Sequence, residues 1–174
     1  MPDPTAEPEG SSTSAPAGAL EILISHESGH WPDMLLPVLE NAARAAWQVA
    51  GDTADGELSV ALVDDDHIRQ LNRDFRGQDK PTNVLSFPAD DLPDGECALL
   101  GDIVLAAETL AREAEEQNKS LRDHLSHLTV HGLLHLLGYD HEIDADAEEM
   151  EQLERDVLQT LGIADPYADQ GGAV

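Results

Sequence analysis

The segment His131–His141 reads HGLLHLLGYDH, and its histidines follow the pattern HxxxHxxGxxH. On an α-helix, residues four apart lie one turn above each other, about 6 Å along the axis. The spacing therefore predicts that His131 and His135 project their imidazoles to one side of a helix. Gly138 can adopt the left-handed conformation that ends a helix, so that the chain turns back and brings His141 to the same point. Three neutral imidazoles with one open position are the ligand set of a catalytic zinc, and we predict one Zn²⁺ ion here.

The helix that bears this motif is apolar on nearly all sides, which predicts that it is buried. Its apolar residues are Leu128, Val130, Leu133, Leu134, Leu136 and Leu137. A single histidine on such a helix is usually an ordinary core residue, whereas three at this spacing need a shared partner, and a metal ion is one. His127 lies one turn before His131 and is a candidate for a place beside the site. His124 is predicted to be an ordinary residue.

The motif lacks one feature of zinc peptidases. Their HExxH pattern has a glutamate as general base directly after the first histidine. Gly132 occupies that position here. The ligand spacing is therefore compatible with a zincin-like scaffold, but ordinary peptidase chemistry is not expected.

Length and composition predict one domain with a substantial core in a chain of 174 residues. The single cysteine, Cys97, excludes an internal disulfide and is typical of a reducing compartment. No apolar run is long enough to cross a membrane, and the proline-rich first eighteen residues contain no Lys or Arg, unlike a secretory signal. We predict a disordered tail over residues 1–18, one domain over 19–167, a C-terminal tail over 168–174, and a cytoplasmic location.

The formal net charge of −27 argues against broad electrostatic attraction to nucleic acid. A polyanionic substrate would need a local basic patch. Arg73, Arg76 and Lys80 are three of only nine basic residues, and they cluster in the segment 72–88, NRDFRGQDKPTNVLSFP. Its first half is predicted to be a polar loop and its second half a short strand. The cluster is either an anion site or a solvated loop with surface ion pairs, and charge alone does not decide between them.

Hydrophobic periodicity predicts elements in the order β-α-β-α-β-β-α-α-α. The predicted strands span 20–25, 57–63, the second half of 72–88, and 99–105. The predicted helices span 34–50, the segment after 64–66, 106–117, the histidine helix that opens at 120–123, and 144–161. This pattern indicates a single α/β (α+β) domain with a mixed sheet of about four strands packed with about five helices, and with the histidine helix central.

Two acidic features have competing interpretations. The run Asp64–Asp66 precedes a predicted helix, and helix capping is favoured there over metal binding. The neighbouring helix is expected to turn Ile68, Leu71 and Phe75 inward. Asp102 is unusual in an apolar strand, where it either orients a ligand histidine or satisfies a nearby backbone group.

Two stretches together resemble one family. HGLLHLLGYDH and RGQDKPTNVLSFP are similar to the signature segments of the YbeY-type rRNA maturation endoribonucleases of bacteria, as are the LLGDIVL strand and the EEMEQLE segment. The resemblance runs from about Leu20 to Tyr167. It implies a zincin-like α/β fold, zinc ligands at His131, His135 and His141, and a functionally important arginine at position 76. The implied activity is metal-dependent cleavage of single-stranded RNA in maturation of the 3′ end of 16S rRNA and in ribosome quality control.

The resemblance also implies partners. These are rRNA and the small ribosomal subunit, a small-subunit ribosomal protein and an Era-like GTPase, with no DNA or membrane partner. Two other functions are weighed. One is a non-catalytic, zinc-stabilised ribosome assembly factor, which a fourth protein ligand on the metal would favour. The other is a metallopeptidase-like hydrolase, against which Gly132 counts.

The resemblance favours the anion-site interpretation of the basic cluster. A guanidinium forms paired hydrogen bonds to phosphate oxygens. We therefore expect Arg76 to be a catalytic residue on the scissile phosphate, and Lys80 to bind a neighbouring phosphate. The general base stays open: the zinc-activated water, a route through the RNA 2′-hydroxyl, or a carboxylate such as Asp140, for which a turn role is favoured.

Overall fold

The computed structural model describes residues 18–51, 55–89, 97–139 and 144–166. Within these residues the elements follow one another in the predicted order. The strands are β1 (Leu20–His26), β2 (Asp55–Val63), β3 (Val84–Pro88) and β4 (Cys97–Ala106). The helices are α1 (Leu35–Ala50), α2 (Asp65–Arg76), α3 (Ala107–Glu116), α4 (Leu121–Leu136) and α5 (Asp144–Thr160).

The four strands form one mixed sheet in the order β1-β2-β4-β3. β1 pairs parallel with β2, and β2 pairs parallel with β4. β3 pairs antiparallel with β4 and forms one edge of the sheet. The predicted α/β class and the predicted four-stranded mixed sheet are thereby confirmed.

The histidine helix α4 is central, as predicted. It packs against α1, α3 and α5 and against strands β3 and β4. The main core lies between these helices and one face of the sheet, where Leu58, Val60 and Leu62 of β2 turn inward at every second position. Because α4 is surrounded on nearly all sides, its histidines are held in position by packing rather than by a mobile loop.

The opposite face of the sheet is only partly covered, by α2. Its smaller core cluster comprises Val63, Ile68, Leu85, Val104 and Ala106. The expectation that Phe75 turns inward is wrong, because 66% of this residue is exposed. Its ring stands edge-on to Phe87, with the ring centroids 5.4 Å apart.

Helix α2 is longer than the sequence pattern indicates. The predicted polar loop begins only after Arg76, so Arg73 and Arg76 lie in the last turn of a helix. The helix begins with the capping interaction expected of the aspartate run, in which the Asp64 side chain accepts a hydrogen bond from the His67 amide at 2.9 Å. It ends at Gly77, whose φ of 71° is the left-handed conformation that glycine adopts readily.

The predicted tails lie almost wholly outside the described residues. At the first described residue, the Gly18 carbonyl accepts a hydrogen bond from the Trp47 indole at 2.7 Å. This bond ties the start of the described chain to α1. In the part of the chain that the structure describes, none of the helices combines the length and the apolar character needed to cross a membrane.

Candidate active site

Two of the predicted ligands face each other on α4. The Nε2 atoms of His131 and His135 are 3.1 Å apart, and the rings meet edge-on with their centroids separated by 4.6 Å. Two imidazole nitrogens bound tetrahedrally to one zinc ion at 2.0–2.1 Å would be separated by about 3.3 Å. The observed separation is close to this value, so the pair fits two ligand positions of one zinc ion.

The third predicted ligand, His141, lies outside the described residues, as does Asp140. Within the described ranges, no group of three or more ligating side chains is assembled. The turn that leads to His141 is described, however. α4 ends at Leu136, and Gly138 has a φ of 102°, which agrees with the predicted break in the helix.

A buried carboxylate on α5, that of Glu154, contacts one histidine of the pair, His131, and the neighbouring His127. Glu154 is 0% exposed. One of its oxygens is 2.7 Å from Nδ1 of His131, and the other is 2.9 Å from Nε2 of His127. An ionised carboxylate only accepts hydrogen bonds, so each imidazole must donate its N–H to it. His131 is thereby fixed as the Nδ1–H tautomer, which leaves its Nε2 lone pair directed towards His135.

The arrangement gives His127 a role in this network. Its Nε2 is bonded to Glu154, and its ring lies 6.3 Å from the His131 ring. His127 therefore supports the carboxylate that orients His131. The structure thus places His127 beside the histidine pair, as a partner of Glu154.

Arg76 reaches the site from the end of α2. Its Nη2 donates a hydrogen bond to the Ser86 carbonyl at 2.7 Å, and its guanidinium carbon lies 5.5 Å from the centre of the Phe87 ring. These contacts hold the side chain against β3. Only one of the five guanidinium N–H donors is used in them, so the others are available to a phosphate.

A cleft of about 720 Å³ brings the basic residues together with the histidine pair. We call it the Arg76 cleft. Its lining residues are Asn72, Arg76, Gln78, Lys80, Thr82, Val84, Leu85, Ser86, Pro88 and His135. The loop that bears Lys80 is anchored by the buried Asn72, whose amide donates to the Lys80 carbonyl at 2.9 Å. Two cations and one predicted metal ligand thus face the same space.

Gly132 shows why α4 holds no general base beside its first histidine. A Cβ atom at this position would lie 3.2 Å from both Ile103 Cδ1 and Ser86 Oγ. The Ser86 hydroxyl donates to the Gly132 carbonyl at 3.3 Å. Position 132 therefore faces the sheet at close range, and a glutamate there would be buried between the helix and the sheet.

His124 belongs to a separate buried network one turn nearer the start of α4. Its Nε2 is 2.9 Å from a Glu113 oxygen that also accepts from the Asn83 amide at 2.9 Å. Burial lowers the pKa of His124, while the hydrogen bond and charge of Glu113 raise it to a smaller extent. The network joins α3, α4 and the start of β3, so His124 has a structural role.

Asp102 does not orient a ligand histidine. It is exposed and points to the face of the sheet opposite α4, where it lines a groove with Leu71 and Phe75. Its strand neighbour Ile103 points the other way, into the core beneath α4. The two side chains alternate because β4 is a regular strand at this point.

Sequence reasoning missed Glu154. The residue sits within the apolar stripe of α5, with Met150 one turn before it and Val157 and Leu158 one turn after it, all buried. A glutamate at a position where the helical period requires an apolar residue was the available signal. Such a residue is seldom fully buried unless it has a partner.

The fold and the site together define a class: an α/β domain in which a buried helix presents a supported pair of histidines beside a cleft that bears cations. Comparison with known proteins specifies the family. Residues 25–162 match the family model for endoribonuclease YbeY. The chain belongs to this family.

Curated relatives and a solved structure agree with the assignment. An endoribonuclease YbeY of Parvibaculum lavamentivorans is 53% identical over 163 residues, which cover 88% of each chain. One from Rhodopseudomonas palustris is 58% identical over 139 residues, covering 78% of this chain and 72% of the relative. The solution structure of TM1509 from Thermotoga maritima matches with a TM-score of 0.52 and 31% identity, covering 83% of this chain and 97% of that one.

Proposed function

We propose that this protein is a single-strand-specific, zinc-dependent endoribonuclease that matures the 3′ end of 16S rRNA and acts in ribosome quality control. Family membership supports the endoribonuclease activity. The observation on which the proposal depends is the Arg76 cleft, in which Arg76, Lys80 and His135 line one space. A phosphodiester needs a nucleophile and relief of negative charge at the same phosphorus, and this combination of side chains suits both needs.

His131 and His135 would hold the zinc ion through their Nε2 atoms, with His141 as the predicted third ligand. When bound, the zinc ion would supply an activated water and polarise a phosphoryl oxygen. Glu154 keeps His131 in the ligating tautomer by accepting its Nδ1–H. The buried position of this carboxylate keeps solvent from competing for that hydrogen bond.

Arg76 is the proposed catalytic residue. Its guanidinium is held by the Ser86 carbonyl and the Phe87 ring, so little conformational freedom is lost when it binds a phosphate. Paired hydrogen bonds to two phosphate oxygens would offset the charge that develops during hydrolysis. Lys80, on the same cleft, would bind a neighbouring phosphate and fix the path of the strand.

The partners and the location are part of the proposal. A chain with a net charge of −27 repels free RNA over most of its surface, which favours delivery of the substrate by other molecules. We therefore propose action in the cytoplasm on rRNA within small ribosomal particles, with a small-subunit ribosomal protein and an Era-like GTPase as partners.

The decisive experiment is cleavage of a precursor of the 16S rRNA 3′ end, free and within ribosomal particles, by the zinc-loaded full-length protein. We expect Arg76→Ala to reduce the rate about 100-fold or more, by analogy with loss of a transition-state donor. Arg73→Ala is the matched control, because Arg73 lies in the same turn and is paired with Asp74 at 3.2 Å. His135→Ala should abolish both zinc binding and cleavage.

Unchanged cleavage by a folded Arg76→Ala protein would contradict the catalytic role. No cleavage by the folded wild type in either setting would instead favour a zinc-stabilised assembly factor. Cleavage of a protein substrate without cleavage of RNA would favour a metallopeptidase, which the burial of position 132 against the sheet disfavours.

A further inference from the structure

The histidine pair lies between two clefts. A second cleft, of about 300 Å³, is lined by Asn83, Val84, Glu113, Gln117, Lys119, His124, His127, Leu128, His131 and Pro166. We call it the Lys119 cleft. It shares Val84 with the Arg76 cleft, and it contains His131 where the Arg76 cleft contains His135. The two clefts therefore meet at the start of β3, with one predicted ligand facing each.

Lys119 differs from four of the nine basic residues in its lack of a carboxylate partner among the described residues. Arginines that pair with carboxylates are Arg69, Arg73, Arg112 and Arg155. Among the described residues, no carboxylate lies within ion-pair distance of Lys80 or Lys119, and each of these lysines lines one of the two clefts. In a protein with only nine basic residues, an uncompensated cation on each side of the histidine pair is a specific feature.

Two further contacts characterise the Lys119 cleft. Lys119 lines the cleft together with the buried His124, which belongs to its interior wall. Glu113 is the acidic residue of that wall, and its carboxylate is held by the Asn83 amide and by His124. The tight turn between α3 and α4 fixes Lys119 at the mouth, because its amide donates to the Ala114 carbonyl at 2.8 Å.

We propose that the Lys119 cleft is a second RNA subsite, in which Lys119 binds a backbone phosphate on the side of the cut opposite the Arg76 cleft. The inference rests on the proposed endoribonuclease function. An enzyme that cuts within a strand must hold nucleotides on both sides of the scissile phosphate, and the Arg76 cleft reaches the histidine pair only at His135. The Lys119 cleft continues past His131 and supplies the cation that the other side requires.

The test is equilibrium binding of a single-stranded RNA of about 12 nucleotides to the full-length protein in a chelator, where no turnover occurs. Binding is measured from about 50 mM salt upward, because affinity for a strand falls steeply with salt. Lys119→Gln should weaken binding about 3- to 10-fold and reduce the slope of log K against log salt by about 0.7, the value for one phosphate contact in a single strand. Lys119→Arg should restore both values.

Arg122→Ala is the matched control, since Arg122 lies three residues further along on the first turn of α4 and lines neither cleft. Cleavage kinetics supply a second readout with substrates that share one cut site and are shortened stepwise from either end. For the wild type, shortening from each end should raise KM. For Lys119→Gln, shortening the substrate from one of its two ends should leave KM unchanged.

The outcomes separate the two proposals. If the wild type neither binds nor cleaves RNA, the proposed function fails and the subsite fails with it. If the wild type binds and cleaves RNA while Lys119→Gln matches it in affinity, salt slope and response to shortening, the subsite alone is overturned. An equal loss in Arg122→Ala would also overturn it, because the effect would then be one of general charge.

Discussion

At the scale of the single residue, Glu154 orients His131, which is a ligand in the proposed zinc site. Glu154→Gln keeps the size of the side chain but replaces one acceptor oxygen with an NH₂ donor. One of the two imidazoles must then change tautomer or lose its hydrogen bond. We expect zinc affinity to fall about 10- to 100-fold, the usual effect of removing a group that orients a ligand. Competition with a chromophoric zinc chelator measures this loss without RNA.

The control for this change is Glu149→Gln. Glu149 lies on the same helix and is exposed, so the same chemical substitution should leave zinc affinity unchanged. Equal affinities of the wild type and Glu154→Gln would show that Glu154 is only a buried structural group. Greater loss in His127→Gln than in Glu154→Gln would also contradict the assignment, because His127 acts through the carboxylate.

His124 gives the fold a dependence on pH. Its pKa is lowered from the ordinary value of 6.5, chiefly by burial. Between the lowered pKa and 6.5 the unfolded chain binds the proton more readily than the folded chain does. This contribution to stability is therefore complete above pH 6.5 and is lost as pH falls through that window. The quantity to follow is the difference between the free energies of unfolding of the wild type and of His124→Gln. We expect this difference to decrease as pH is lowered from neutral to the lower end of the window.

Urea unfolding at a series of pH values measures this difference. Groups that do not interact with His124 contribute equally to both proteins and cancel in the subtraction. His30→Gln, the same substitution at an exposed histidine, is the control. A His124 difference that is constant, or that grows as pH falls, would contradict the prediction.

The sequence could predict the histidine pair but not its support. The pair is a local feature, since residues four apart on a helix meet whatever surrounds them. The contact of Glu154 with His131 joins residues 23 positions apart and depends on how α5 packs against α4. The convergence of Arg76 and Lys80 on His135 is likewise tertiary. The clustering of basic residues singled out both cations and the resemblance to a family pointed to Arg76, but periodicity and spacing did not bring the two cations to one cleft.

At the scale of the element, the close approach of α4 to the sheet depends on Gly132. A Cβ atom there would lie 3.2 Å from Ile103 Cδ1 and Ser86 Oγ, so the neighbours would have to move by a few tenths of an ångström. Gly132→Val adds three carbons at this contact and should destabilise the fold by about 1–3 kcal/mol, the usual cost of overpacking. Urea unfolding measures the change.

Gly132→Ala is the matched comparison. It adds only the Cβ atom, and the gain in helix propensity, about 1 kcal/mol, offsets the small displacement of Ile103. We expect its stability to be within about 1 kcal/mol of that of the wild type. A valine variant as stable as the alanine variant would show that α4 can move away from the sheet without cost.

The C-terminal end of α2 lies further along the chain than the sequence predicts. The segment 72–76, NRDFR, contains only one apolar residue, Phe75, so the sequence predicts a polar loop there. The helix continues because Asn72 is buried and bonds the following loop, and because Gly77 provides a left-handed end. Phe75 is exposed although its spacing matches Ile68 and Leu71, since α2 covers only part of its face of the sheet. Periodicity identifies a face of a helix but not what that face meets.

At the scale of the whole molecule, charge acts in opposite directions on stability and on RNA binding. The chain has 36 acidic and 9 basic residues, so the compact state repels itself. The cations that face the histidine pair, namely Arg76, Lys80 and Lys119, must attract RNA against this background. Added salt screens both effects. It should therefore stabilise the fold and weaken RNA binding in the same concentration range.

The magnitude of the second effect follows from the number of phosphate contacts. Three contacts to a single strand predict a slope of log K against log salt of about −2, so affinity should fall roughly 15-fold between about 50 and 200 mM salt. Over the same range the urea midpoint should rise. An uncharged morpholino oligomer of the same sequence is the control, and its binding should not respond to salt. A urea midpoint that falls with added salt would show that specific ion pairs outweigh self-repulsion. A binding slope much steeper than −2 would mean that RNA contacts cations beyond the two clefts.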